Sequence, residues 1–279
     1  MTAGHVRSWL LTDQTVNWTL RVGAFLCFVG HGAFGVMTKD AWVPYFGVVG
    51  IGSEAAFAWM PIVGAWDILV GCLVLVAPRP AITLWMVGWA TWTALLRPLA
   101  GEPVWEALER AGNYGVPMAL FLRMSPWTSW RALFAPATFL EPTPDSCRRV
   151  RAILTITIVL LLVGHGALSI QGKPQFVFNL ASVAGARTPG LLLMLGWLEL
   201  ALAAAVALRP TSALLLVVAA WKMGTEFLFV TAGAPVWEWI ERAGGYAAPL
   251  ALAIVMTQKE WRTRPQAALA PQPEVTWRL

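Results

Sequence analysis

The residues best suited to chemistry in this chain are glutamate and arginine side chains that occur twice at the same spacing. The segment PVWEALERAGNYGVPMAL at 103–120 recurs as PVWEWIERAGGYAAPLAL at 235–252, with twelve of eighteen positions identical and a constant shift of 132. In each copy a glutamate lies four residues before the arginine, the better arrangement for an ion pair on one helix. The adjacent acid and base are Glu109 with Arg110 in the first copy and Glu241 with Arg242 in the second.

The length of the apolar segment that follows predicts that these charges lie inside a membrane. A helix that began only after them would offer about 13 residues, roughly 20 Å at 1.5 Å per residue. That is too short for a hydrocarbon core of about 30 Å. We therefore expect a single helix that starts near Pro103, with its charged stripe facing protein or a wet cavity, because ionised groups that face lipid cost several kcal/mol.

Other ionisable residues fall at a comparable depth in other predicted helices. Asp67, Glu199 and Lys222 lie about 15–20 Å above the arginines that end or begin their helices, at 1.5 Å per residue. The second copy adds Glu226 four residues after Lys222, where the first copy has Ala90 and Ala94. Each repeat is predicted to gather a histidine, an acid from its second helix and the Glu/Arg pair of its own fourth helix.

Two histidines stand between glycines in repeated VGHGA segments, His31 at 29–33 and His165 at 163–167. Flanking residues without bulk let a planar group or a second backbone approach the imidazole. Two such histidines related by a pseudo-twofold axis suit axial ligation of one haem b, with Arg110 and Arg242 near its propionates. Three alternatives stay open: tight helix packing, hydrogen bonds to Glu109 or Asp67, and a quinone site.

The composition places the chain in the membrane class. It is 58% hydrophobic and only 13% charged, against roughly 25% charged in an ordinary soluble domain. Eight segments approach the roughly 20 apolar residues that a helical crossing needs. They lie near 17–37, 56–77, 81–99, 104–123, 150–170, 189–208, 211–230 and 235–257.

Further anchors recur in order, so the repeat covers a whole four-helix unit. Gly64 and Asp67 match Gly196 and Glu199, and Trp89 matches Trp221. We therefore expect an all-α polytopic membrane protein with eight transmembrane helices in two pseudo-symmetric four-helix bundles. The predicted division is a first repeat at 1–123, an interfacial linker at 124–149, a second repeat at 150–257 and a tail at 258–279.

The distribution of basic residues predicts the orientation in the bilayer. In the eight-span arrangement most of them lie on one side, which is cytoplasmic by the positive-inside rule. Both termini are then cytoplasmic, in a bacterial inner membrane. The basic clusters need no nucleic acid to explain them. The three cysteines lack the spacing of a disulfide framework or a thiolate metal site.

The layout resembles the DoxX/DoxD-like membrane proteins. The resemblance rests on an arginine that leads the first helix in LRVGAFLCFVGHGAFG, an acid-bearing second helix and a polar start to the fourth. It implies a four-helix unit associated with membrane redox complexes, including thiosulfate:quinone oxidoreduction. The tandem duplication and the GHG histidines depart from the single-unit pattern of that family.

Three functions are compatible with these residues. The first is a redox-associated membrane subunit that binds a quinone or haem b in the outer half of the bilayer and works with partner membrane or redox subunits. The second is a proton-coupled or anion carrier that uses Lys222, Glu226 and Glu199. The third is an accessory subunit whose apolar surface packs into a larger assembly.

Overall fold

A computed structural model describes residues 3–124, 129–139 and 143–262. The described residues form helices and connecting turns, with no strand and only one isolated bridge, between Met124 and Phe139. The prediction of an all-α fold is confirmed. Parts of the predicted linker and the tail beyond residue 262 lie outside the described residues.

The first repeat contains four helices longer than ten residues and two short ones. They are α1 Ala3–Val36, α2 Val43–Val48, α3 Ser53–Val76, α4 Pro80–Leu99, α5 Trp105–Glu109 and α6 Ala111–Leu122. A short linker helix follows, α7 Trp130–Phe134. A 3-10 turn, Asp40–Trp42, precedes α2.

The second repeat has the same order of α-helices, but its 3-10 turn, Gly185–Arg187, follows the short second helix and does not precede it. The helices are α8 Pro144–Ile170, α9 Pro174–Ala184, α10 Thr188–Leu208, α11 Ser212–Thr231, α12 Trp237–Ile240 and α13 Ala243–Arg262. Helix α8 starts inside the predicted linker because Thr143 caps it: the Thr143 hydroxyl accepts from the backbone N of Ser146, and the Ser146 hydroxyl accepts from the backbone N of Thr143. Such a capping box satisfies two backbone donors at a helix start.

Five helices of the described chain are long and apolar enough to cross a membrane, which supports a multi-pass membrane protein. They are the Asp13–Val36 part of α1, α3, α8, α10 and α11. The three other predicted crossings correspond to α4, α5 with α6, and α12 with α13. The count of eight crossings therefore stays a prediction.

The fourth segment of each repeat is interrupted where its charged residues lie. In the first repeat α5 ends at Glu109, and Arg110 has φ −92° and ψ 13° before α6 begins. Tyrosines of the repeated motif bind carbonyls before each break: Tyr114 Oη donates to Ala107 O at 3.3 Å, and Tyr246 Oη donates to Trp239 O at 2.7 Å. The prediction of one continuous helix in each fourth segment is therefore wrong, because each segment contains two helices.

The two repeats interleave. Helix α1 packs against α3 of its own repeat and against α12 and α13 of the other, and α8 packs against α10, α5 and α6. The first glycine of each GHG segment makes this contact. A Cβ added to Gly30 would lie 2.5 Å from the backbone N of Glu241, and one added to Gly164 would collide with the backbone N of Glu109.

The fourth segments of the two repeats cross at a pair of glycines. A Cβ added to Gly112 would lie 2.5 Å from the carbonyl carbon of Gly244, and one added to Gly244 would collide with Gly112 O. Below this crossing, toward the predicted cytoplasmic side, α1, α6, α8 and α13 share one apolar core. It includes Leu20, Leu120, Leu154 and Leu252, each fully buried.

A methyl group at this crossing should force the two repeats apart. We expect Gly112→Ala to lower the free energy of unfolding by about 1–3 kcal/mol, the usual effect of overpacking. Gly88→Ala is the matched control, because a Cβ there meets nothing within 4 Å, and alanine is the better helix former. Thermal unfolding in detergent measures both. Equal midpoints for Gly112→Ala and Gly88→Ala would contradict the close crossing.

Candidate functional site

The buried charges of the second repeat form one closed network around Lys222. The Lys222 side chain is 1% exposed, and its Nζ lies 2.8 Å from Glu226 Oε1 and 3.5 Å from Glu199 Oε1. His165 bridges the same two acids, with Nδ1 2.6 Å from Glu199 Oε2 and Nε2 3.4 Å from Glu226 Oε1. We call His165, Glu199, Lys222 and Glu226 the second-repeat cluster.

Two further side chains complete this network. Trp221 Nε1 donates to Glu199 Oε1 at 3.0 Å. Arg242 Nε lies 2.9 Å from Glu226 Oε2, at ion-pair distance without the alignment of a hydrogen bond. Each carboxylate of the cluster therefore faces at least two donor groups, as buried charges require in order to be tolerated.

Glutamates of the fourth segments bind the opposite repeat. Lys39 Nζ lies 2.5 Å from Glu238 Oε1, and Lys173 Nζ lies 2.8 Å from Glu106 Oε1 and 3.0 Å from Glu109 Oε2. Lys39 and Lys173 follow the first helix of their repeats, and each reaches acids of the other repeat. These are the cross-repeat ion pairs.

The partner of His31 also differs from the expectation that each repeat pairs its histidine with its own acids. His31 Nδ1 lies 3.3 Å from Glu241 Oε2, so this histidine pairs with the second repeat's glutamate and not with an acid of its own repeat. The arginines instead bind glutamates of their own segments, Arg110 with Glu106 at 3.1 Å and Arg242 with Glu238 at 2.6 Å. Lys39 and Lys173 were not among the candidates predicted from the sequence, although both follow GHG at the same distance.

A small polar void lies between the two fourth segments. Its volume is about 20 Å³, and Glu109, Arg110, Glu241, Arg242 and His31 line it. A water molecule needs about 10–15 Å³ of such space and two to four polar partners. The void suits one water that links the charges of the two repeats.

The two GHG histidines lie in different surroundings and do not face one common space suited to haem. Both ring nitrogens of His165 are occupied by the acids described above. Backbone atoms occupy the space beside the glycines that flank His31. Gly30 packs against the backbone of Glu241, and a Cβ on Gly32 would lie 2.6 Å from Gly64 O. No group of three or more metal-ligating side chains occurs in the part of the chain described. The residues favour helix packing at GHG over axial ligation of one haem.

The first repeat holds a cavity of about 360 Å³ where the second repeat is filled. The cavity lies between α3 and α4 beneath the connection from α1 to α3. We call it the first-repeat pocket. Aromatic side chains form most of its wall: Trp42, Tyr45, Phe46, Trp59, Trp89 and Trp92.

A few polar groups converge on the first-repeat pocket. Asp67 is 4% exposed, it lines the pocket together with Trp89, and its Oδ1 has no hydrogen-bond partner among the described residues. His31 and Arg97 also reach the pocket. Arg97 Nη1 lies 3.2 Å from Glu102 Oε2 and donates to Tyr45 Oη at 2.7 Å.

Tyr45 belongs to the connection that covers the pocket. Its phenol donates to the Glu102 carboxylate while it accepts from Arg97. Burial raises the pKa of Tyr45 to about 12, against the opposing effect of Arg97. The phenol therefore keeps its proton at neutral pH and holds the covering segment to the start of the fourth segment.

The counterpart of this pocket in the second repeat is nearly closed. Thr93 and Leu96 correspond to Thr225 and Leu228 at a shift of 132, yet the space there is only about 30 Å³. Phe229 stands where the first repeat has Arg97, and the Phe176 ring from α9 lies 4.4 Å from the His165 ring. In the second repeat, large side chains and the second-repeat cluster thus fill the space that corresponds to the first-repeat pocket.

Removal of the Lys222 ammonium should take from Glu199 and Glu226 the one cation that they share. We expect Lys222→Ala to destabilise the protein by about 3–5 kcal/mol, the usual effect of breaking a buried ion pair. The double variant Lys222→Ala with Glu226→Ala reproduces the Ala90 and Ala94 pair of the first repeat. It should lose less stability than the sum of the two single changes. Thermal unfolding of all three variants tests this, and simple additivity would contradict the network.

Among the ten candidate residues from the sequence, the structure brings His165, Glu199, Lys222, Glu226 and Arg242 into one network. The others divide between two places. His31, Glu109, Arg110 and Glu241 line the void between the fourth segments, and Asp67 lines the first-repeat pocket. Comparison with protein-family models, curated proteins and solved structures found no match to this chain. The resemblance to the DoxX-like proteins therefore stays a prediction.

Proposed function

We propose that this chain is an inner-membrane protein of eight spans in two four-helix repeats that binds a quinone in the first-repeat pocket, as a subunit associated with redox partners. One observation carries the proposal. The duplicated chain has an aromatic-walled cavity of about 360 Å³ in one repeat, and the equivalent space of about 30 Å³ in the other is filled by its own side chains.

The size and chemistry of the pocket suit a quinone ring. Ligand sites usually measure about 300–1,000 Å³, with apolar and aromatic walls and a few convergent polar groups. Aromatic side chains such as Trp89 and Trp92 can stack with a planar ring. Asp67, His31 and Arg97 supply the polar contacts that would fix the oxygen atoms of the ring.

The position of the pocket suits a ligand that arrives from the bilayer. Two side chains of its wall, Trp59 from α3 and Trp92 from α4, are 49% and 40% exposed on the outer surface of the helices. Under the positive-inside rule the connection from α1 to α3 lies on the outer side of the membrane. The proposed site is therefore in the outer half of the bilayer, and its wall between α3 and α4 borders lipid.

The other candidate functions have less geometric support. A carrier that uses Lys222, Glu226 and Glu199 would need space for a solute beside these groups, and the adjoining cavity measures about 30 Å³. Haem b ligation by His31 and His165 would need His165 to leave a carboxylate, because both of its ring nitrogens face acids. The accessory role requires no pocket at all. Quinone binding is the function that uses the cavity.

A bulky side chain in the pocket should abolish binding. We expect Val63→Trp, in the wall of the pocket, to weaken binding of a short-tailed benzoquinone at least tenfold, because the indole takes the space of the ligand ring. Leu69→Trp on the same helix is the matched control, since Leu69 is 47% exposed and faces outward. Calorimetric titration in lipid nanodiscs measures both. Equal affinity of the two variants would contradict this location.

A visible absorption spectrum separates the quinone proposal from haem binding. The purified chain should show no Soret band, because both ring nitrogens of His165 face carboxylates, which removes one of the two axial ligands that the haem hypothesis needs. A Soret band that disappears in His31→Ala would instead establish haem as the cofactor. The spectrum of the purified wild-type protein is the reference for the spectrum of His31→Ala.

A further inference from the structure

The two repeats give equivalent acids different partners. Glu199 of the second repeat lies 2.6 Å from His165 Nδ1 and 3.5 Å from Lys222 Nζ. Asp67 is the matching acid of the first repeat at a shift of 132, and Ala90 stands where the second repeat has Lys222. The ammonium that pairs with Glu199 therefore has no counterpart beside Asp67.

The three basic side chains that line the first-repeat pocket are engaged with glutamates. They are Arg97 with Glu102, Arg110 with Glu106 and His31 with Glu241, at nitrogen–oxygen distances of 3.2, 3.1 and 3.3 Å. The contact of His31 Nδ1 lacks the alignment of a hydrogen bond. None of these three bases forms an ion pair with Asp67.

The surroundings of Asp67 are otherwise uncharged. The residue is 4% exposed, and its Oδ1 has no hydrogen-bond partner among the described residues. A void of about 10 Å³ beside it is lined, apart from His31, by neutral side chains such as Cys27, Phe28, Thr93 and Asn113. An isolated carboxylate in an apolar site is so unfavourable that the group takes up a proton instead.

We infer that Asp67 is a protonated acid at neutral pH and that its hydroxyl donates a hydrogen bond to an oxygen atom of the ligand in the first-repeat pocket. The donor role rests on the proposed function, whereas the protonation of Asp67 does not. A carboxylic acid that its apolar site keeps neutral can donate such a bond to a ligand oxygen. The oxygen of a quinone carbonyl and that of a quinol hydroxyl both accept, so both redox forms can bind to this acid.

The second repeat shows which substitution should ionise Asp67. Ala90 borders the same small void as Asp67, and it occupies the position of Lys222 in the first repeat. In Ala90→Lys the proton of Asp67 should pass to the lysine amine, which gives an ion pair like that of Lys222 with Glu199. Ala90→Met adds a similar volume without the amine and is the matched control.

Infrared difference spectroscopy of the full chain, in a detergent without carbonyl groups, tests the protonation of Asp67 in the absence of any ligand. The wild-type protein at neutral pH should show the carbonyl stretch of a protonated carboxyl, and Asp67→Asn and Ala90→Lys should lose this band. The band should remain in Ala90→Met and in Glu54→Gln, which changes an exposed acid in the first turn of the same helix.

Two infrared results would overturn the inference, whether or not the protein binds a quinone. One is a difference spectrum between the wild type and Asp67→Asn that contains a carboxylate band and no protonated carboxyl. If Asp67→Asn does not fold, the difference between Ala90→Met and Ala90→Lys decides, and the absence of a protonated carboxyl band from it is the second such result.

Calorimetric titration with a short-tailed benzoquinone tests the donor role. Asp67→Leu, which has no donor, should bind the quinone about fivefold more weakly than Asp67→Asn, whose amide donates, as expected for the loss of one hydrogen bond. Equal affinity of these two variants overturns the donor role and leaves the proposed function standing. Failure of the wild type to bind the quinone overturns the proposed function and the donor role together, and the infrared band then decides the protonation of Asp67 alone.

Discussion

Charges held in an apolar layer must be paired, and in this protein the pairing joins the two halves of a duplicated chain. Lys39 binds Glu238 of the second repeat, and Lys173 binds Glu106 and Glu109 of the first. The second-repeat cluster is satisfied within its own repeat, but the glutamates of each fourth segment pair both with an arginine of their own segment and with a lysine of the other repeat. An isolated repeat would lose the second of these partners, so electrostatics favours interleaving together with apolar packing.

The interruption of each fourth segment also helps to pair the buried charges of the two repeats. At the break the chain brings Glu109 or Glu241 close enough for the first GHG glycine of the other repeat to pack on its backbone. Tyr114 and Tyr246 bind carbonyls before the breaks, which limits the loss of helical hydrogen bonds. The two repeats share this frame and differ in their outer helices, where side chains fill the pocket of the second repeat and leave that of the first open.

Much of the fold could be predicted from the sequence, because apolar length and repetition are local signals. The short apolar segments after Glu109 and Glu241 predicted that both side chains lie inside the protein, and both are buried in the structure. The exchange of partners between repeats was not predictable, since spacing along the chain does not show which repeat a side chain faces. Lys39 and Lys173 looked like surface charges, although their equal distance from GHG was a usable signal. The pocket depends on the connecting segment, where no periodic pattern exists.

The most direct test of the interleaved arrangement is a double-mutant cycle across the repeats with Lys39→Met and Glu238→Gln. The two side chains lie 199 residues apart in the chain and 2.5 Å apart in the structure. Unfolding free energies of the wild type, both single variants and the double variant give their coupling. The cross-repeat ion pair predicts a coupling of about 0.5–3 kcal/mol. Strictly additive effects would show that the repeats do not hold each other in this way.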